Sequence, residues 1–249
     1  SQRWAARAEV VMFASAAAVD APAKNTLRPT VTGTSALGIK YKDGVMMASD
    51  TIACYGGWIR YKDMQRIHAV SKDTVIAMNG EMSDYQKVLE LLDEKRVGEY
   101  CIDDGSTQTS KELHSYLTRV MYQRRCKMDP LWNMLVVGGF RDGASYLGYT
   151  DLYGSHFTDN FVATGLGQYL ALPLMRNQWT PEMTEAEARA LLTTALKLCY
   201  YRDCRSSNKV QFAKVDKDGV HVEEPFVIEG EWNHARFVEG SAKAGDGGW

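Results

Sequence analysis

The sequence predicts an α+β domain in which two sheets stack face to face with helices on their outer sides. Three observations carry that expectation. Hairpin patterns stand on both sides of a pair of long helical patterns. Tight turns such as Lys42-Asp43-Gly44 and Arg141-Asp142-Gly143 join the strands, and no linker or repeat divides the chain. The 249 residues, 45% hydrophobic and 24% charged, suffice for one large domain with an ordinary core.

The elements follow in order. A first hairpin covers 35–41 and 45–50, and a second strand pair, 66–70 and 74–78, flanks Ser71-Lys72-Asp73. A helix from about Glu81 sets Met82, Tyr85, Val88, Leu89 and Leu92 along one stripe. The turn-rich "DDGSTQTS" ends at Ser110, read as the N-cap of the next helix. There Leu113, Tyr116, Leu117, Val120 and Met121 recur at i, i+3, i+4, i+7 and i+8, and Asp129-Pro130 stops the run. Strands return in "NMLVVGGF" and "SYLGYT". "ATGLGQYLALPLM" passes from a Gly-rich loop into a helix, and Thr184 with Glu187 forms a capping box ahead of a helix to about Tyr201. "VQFAKVDKDGVHVEE" is the last regular structure expected, ended by Pro225, which has no ladder donor.

Composition narrows the function. A net charge of -2 makes no electrostatic case for nucleic acid or an anionic membrane as partner. No apolar run approaches the ~20 residues of a membrane helix. Five cysteines, an odd number without a CxxC, predict free thiols in a reducing compartment. "RWAARAEVVMFASAAAVDAPA" has a faint secretory look, but Glu9 and its alanine-rich patch favour a pro-segment or arm, on a chain that begins at Ser1. A P-loop, a zinc spacing and a GxSxG elbow are missing. "GLGQY" lacks the βαβ context of a dinucleotide fingerprint, and histidines 68, 114, 156, 221 and 234 show no ligand spacing. No cofactor and no metal are expected.

What remains is a set of fragments: "GTSALGIKYKDGVMMASD", "MNGEMSDYQ", "LVVGGFRDGASYLGYTDLYG", "ATGLGQYLALPLM" and "YYRDCRSSNKV". In this order and spacing, from about Thr32 to Glu224, they resemble the beta subunits of the 20S proteasome, members of the N-terminal nucleophile hydrolases. "HSYLTRVMYQRRCKMDPLWNMLVVGGF" and the "VTGTS" start are similar to the beta type 7 branch. The resemblance implies a four-layer αββα sandwich over 34–224, a pro-segment or extension over 1–33 and a C-terminal arm over 225–249. It implies a two-fold stack of seven-membered rings in the cytoplasm and nucleus. The implied partners are adjacent beta subunits of the same ring, the alpha ring, and the beta type 1 subunit of the opposite ring. The arm would reach that last partner. It carries Phe226, Val227, Ile228, Trp232, Phe237 and Val238, and Trp232 and Phe237 are the expected anchors.

In active members of the family, threonine must open the mature chain. Its α-amine, with a reference pKa of about 7.7–8.0, then takes the hydroxyl proton. Gly33-Thr34 suits the family's cut, yet 33 residues precede Thr34, and while they remain its nitrogen is a non-basic amide. The family's catalytic lysine position falls on Arg66, whose guanidinium stays charged. Asp50 matches the active-site aspartate, with which Arg66 is expected to pair. Asp203 and Ser206 match the family's "RDxxSGG", here "RDCRSSN". Gly80 matches the oxyanion glycine, and Leu166 replaces the hydroxyl residue of a "GSG". These six positions (Thr34, Asp50, Arg66, Gly80, Asp203, Ser206) imply a vestigial site in a non-catalytic structural subunit. The rival expectation is a threonine protease matured at Thr34 that tolerates Arg66.

Overall fold

The computed structural model describes residues 30–233. β1 (Thr32–Gly33), β2 (Ala36–Tyr41), β3 (Gly44–Asp50), β4 (Ala53–Tyr55), β5 (Trp58–Tyr61), β6 (Ile67–Ala69) and β7 (Thr74–Glu81) lead into α1 (Met82–Ile102) and α2 (Ser110–Cys126). β8 (Asn133–Arg141), β9 (Ala144–Thr150), β10 (His156–Thr158) and β11 (Phe161–Ala163) precede α3 (Gly167–Gln178) and α4 (Glu185–Arg202). β12 (Lys209–Asp216), β13 (Gly219–Val222) and β14 (Phe226–Val227) follow.

One sheet runs β10-β9-β8-β7-β1-β4-β5 with β6 beside β7. The other runs β11-β2-β3-β12-β13 with β14 beside β12. Three apolar clusters explain the stacking. Val45, Met47, Val75, Ala77, Val136 and Ala213 fill the space between the sheets. Ile76, Met78 and Leu135 meet Tyr85, Val88 and Leu117 of α1 and α2. Met46, Ala48 and Phe212 meet Met175, Leu192 and Leu196 of α3 and α4. The layers are therefore α, β, β, α, the expected sandwich. β3 shows the consequence for sequence: its alternate residues enter different cores, so all seven are buried and no polar alternation is left.

Local signals and local structure agree at most helix ends. Thr184 and Glu187 form the expected capping box of α4. The expected cap at Ser110 is corrected: Thr109 caps α2, in a reciprocal box with Glu112. Ser110 is buried, and its hydroxyl instead bonds Thr74 Oγ1 at 2.8 Å. The short strands β1, β4, β5, β10 and β11 carry too few residues for a period-2 signal and were not foreseen. Pro225 does not end regular structure either. β13 and β14 share one edge of β12, and Pro225 lies in the break between them. Phe226 then stacks on Phe212, ring centroids 5.5 Å apart, and Ile228 is buried.

His114 is a satisfied core histidine. It donates from Nε2 to the Tyr149 carbonyl (2.9 Å), and its Nδ1 shares a hydrogen bond with the Tyr146 hydroxyl (2.7 Å). Burial lowers its pKa, and that of His68. The unfolded chain takes up these protons below about pH 6.5 while the folded chain does not, so stability is lost as pH falls through that range. The midpoint of thermal unfolding is expected to drop between about pH 7.5 and about pH 5.5, and to drop less in His114→Gln. A slope unchanged by the substitution would contradict this assignment.

Candidate functional site

The ground around Thr34 is built by strands of both sheets. β1 lies between β7 and β4, with Gly33 opposite Gly80 on one side and Ala53 on the other. The preceding residues are clasped as well. Met82 donates its N–H to the Val31 carbonyl at 2.9 Å, and the Thr30 hydroxyl donates to Glu81 at 3.3 Å. Glu81 is also the N-cap of α1, accepting from the Asp84 N–H. Thr34 thus follows directly on a strand that fills a slot between two others, and its nitrogen is a peptide nitrogen inside that layer.

Arg66 is the centre of the site, with a relative exposure of 0%. Nε donates to the Asp50 carbonyl (2.9 Å), and Nη1 donates to the carbonyls of Thr34 (2.8 Å) and Met78 (3.2 Å). Nη2 donates to the Ser35 carbonyl (3.0 Å) and to the Asp50 carboxylate. All five guanidinium N–H groups are committed, and the ion pair with Asp50 is buried. Asp50 is equally committed. Its second oxygen accepts from the hydroxyls of Thr34 (3.1 Å) and Ser206 (3.0 Å) and from the Ser207 N–H (3.0 Å). Gly33 is required here, because a Cβ at that position would sit 2.6 Å from Arg66 Cδ.

The structure therefore joins Thr34, Asp50, Arg66 and Ser206 in one hydrogen-bonded group. Asp203 has a different task. It ends α4 and accepts the Arg205 N–H at 2.9 Å, shaping the turn that presents Ser206 and Ser207. Gly80 stands across from Gly33 at a φ of +116°, where a Cβ would meet the Trp132 carbonyl at 2.0 Å. With β1 in place, its own strand partner occupies the ground before it. Sequence reasoning missed Asn79, whose Nδ2 donates to the Thr34 carbonyl at 2.5 Å. A single amide directly after the apolar run 75–78 was the available signal.

Chemically, Thr34 is one of several donors gathered on Asp50. Its hydroxyl donates to a carboxylate already bound by a guanidinium and two other donors. Burial pushes the nearby Cys199 thiol, which interacts with Ser35, up to about 11, so it supplies no thiolate near neutral pH. Among the described residues no cluster of His, Cys, Asp and Glu is arranged to hold a metal. Of the expected arm anchors, Trp232 is 59% exposed and sits edge-on against Tyr200 and Tyr201, at 5.5 and 5.1 Å between centroids. Phe237 lies outside the described residues.

Comparison with known proteins gives consistent matches. A family model described as proteasome subunit matches residues 30–215. The chain is 43% identical over 226 residues to the proteasome subunit beta type-4 of Arabidopsis thaliana, covering 91% of this chain and 92% of that one. It is 42% identical to the beta type-4 subunit of Xenopus laevis, over 88% of this chain and 91% of the other. It is 34% identical to the proteasome subunit beta type-7 of Saccharomyces cerevisiae, over 88% and 87%.

Proposed function

We propose that this chain, which belongs to the proteasome subunit family, is a non-catalytic, structural beta subunit of the 20S core particle. The observation that carries the reading is the buried Arg66 with every N–H donor bonded. A threonine protease matured at Thr34 uses its freed α-amine as base and a neighbouring side chain that can relay the proton. A guanidinium stays protonated at any working pH and cannot do this. The clasped β1 supports the same conclusion, since a cut between Gly33 and Thr34 would sever a chain embedded in a sheet. Thr34, Asp50, Arg66, Gly80, Asp203 and Ser206 are then a vestigial site whose retained bonds hold the two sheets together.

In this role the chain assembles with alpha and beta subunits, in the cytoplasm and nucleus, and serves protein degradation by the complex. Within the described residues no helix is long and apolar enough to cross a membrane. The tail beyond the domain is an arm to the beta type 1 subunit of the opposite ring, with Trp232 and Phe237 as its anchors. Trp232, seated edge-on against Tyr200 and Tyr201 yet 59% exposed, supports this reading by keeping an aromatic face open to a partner.

Intact-mass measurement of the chain from purified particles tests the assignment. The expected mass includes residues ahead of Thr34, and an epoxyketone, which requires a free amine and hydroxyl on one threonine, leaves the chain unmodified. Arg66→Lys alone restores no adduct, because the amine is still missing. A chain starting at Thr34 and carrying the adduct would establish the protease instead.

A further inference from the structure

We propose that the free edge of β5 is the seat of a neighbouring subunit of the same αββα fold, which docks there with an edge of the β10 type. The inference rests on the reading that the chain works inside a proteasome particle. β5 closes one end of the eight-stranded sheet and, among the described residues, pairs only with β4. Its outer backbone groups are therefore a template for another strand. All four of its residues are exposed, including Trp58 at 82% and Ile59 at 52%, and Tyr55 joins them across the Gly56-Gly57 turn. Chains that keep such an edge in water blunt it with lysine, proline or a tight bulge. β5 has no lysine or proline, and its single charge, Arg60, lies over the Tyr61 ring at 5.5 Å. The pair with β4 has one bulge, whose extra residue is Arg60, and it leaves Trp58 and Ile59 in regular register with Tyr55 and Cys54.

The opposite end of the same sheet supplies the complementary surface. β10 pairs with β9 alone among the described residues, and its three residues are exposed. Phe157 is held flat against Tyr149 at 4.8 Å, and the strand lies between Asp151 and Asp159. The β5 edge carries Arg60 and is followed by the exposed Lys62. A second copy of the β5 edge would set these cations against their like. An aromatic edge flanked by carboxylates, as β10 is, matches it in both apolar character and charge. Unlike edges at opposite ends of one sheet produce head-to-tail contacts, the kind that close into rings.

A photo-crosslinking amino acid in place of Trp58, in particles assembled around the full chain, tests this contact without disturbing the fold. The expected product is one dominant crosslink to another beta-type subunit, in the strand that aligns with His156–Thr158 of this chain. The double substitution Trp58→Asp, Ile59→Asp is expected to lower incorporation roughly tenfold. Crosslinks to residues 1–29 of the same chain, to a second copy or to an alpha-type subunit would overturn the proposal, as would no crosslink at all. Each of these leaves the structural-subunit reading standing. A chain that never enters a large particle overturns both.

Discussion

Asp50→Ala is expected to destabilise the chain by about 3–5 kcal/mol, because it strands the Arg66 guanidinium in a fully buried position. Four carbonyl bonds would remain to Arg66, but none of those partners carries the compensating charge. The same substitution leaves the Ser206 hydroxyl and Ser207 N–H without their acceptor and loosens the turn after α4. Thr34→Ala removes one hydroxyl-carboxylate bond and costs about 1 kcal/mol. With a total stability of about 5–15 kcal/mol, the first change threatens incorporation into particles and the second does not. Denaturant unfolding of both variants, with the amount of each in assembled particles, checks the prediction. Equal effects would mean that the pair contributes little.

The second large effect concerns where the domain ends. Truncation after Glu224 deletes Phe226 and Ile228, which pack on Phe212 and the α4 cluster, and is expected to cost about 2–5 kcal/mol. It also removes the Ile228 N–H bond to the Asn208 carbonyl at 2.7 Å. Truncation after Asn233 spares this packing. The shorter deletion is expected to leave unfolding unchanged and to let half-size particles accumulate on native gels. Normal full-size particles from that variant would show the arm to be dispensable, and equal unfolding midpoints for the two truncations would place the domain end at Glu224.

Sequence alone determined what depends on neighbours in the chain. The turn at Lys42-Asp43-Gly44, the Thr184–Glu187 box and the apolar stripes of α1 and α2 all close within a few residues, so residue type suffices to specify them. The resemblance also placed Arg66 where the family carries a lysine, and the expectation of a structural role rests on that residue type. Tertiary structure decided the rest. β1 has two residues and no pattern of its own; it is a strand because β4 and β7 offer unpaired backbone on both sides of it. Ser110 lost the cap to Thr109 because β7 claims its hydroxyl. The residue type of Arg66 was legible, but not its five bonds. Four carbonyls from three separate places, Thr34-Ser35, Asp50 and Met78, converge on it only once the sheets have stacked. Such bonds join residues 12 to 32 positions apart, and no local preference specifies a partner at that distance.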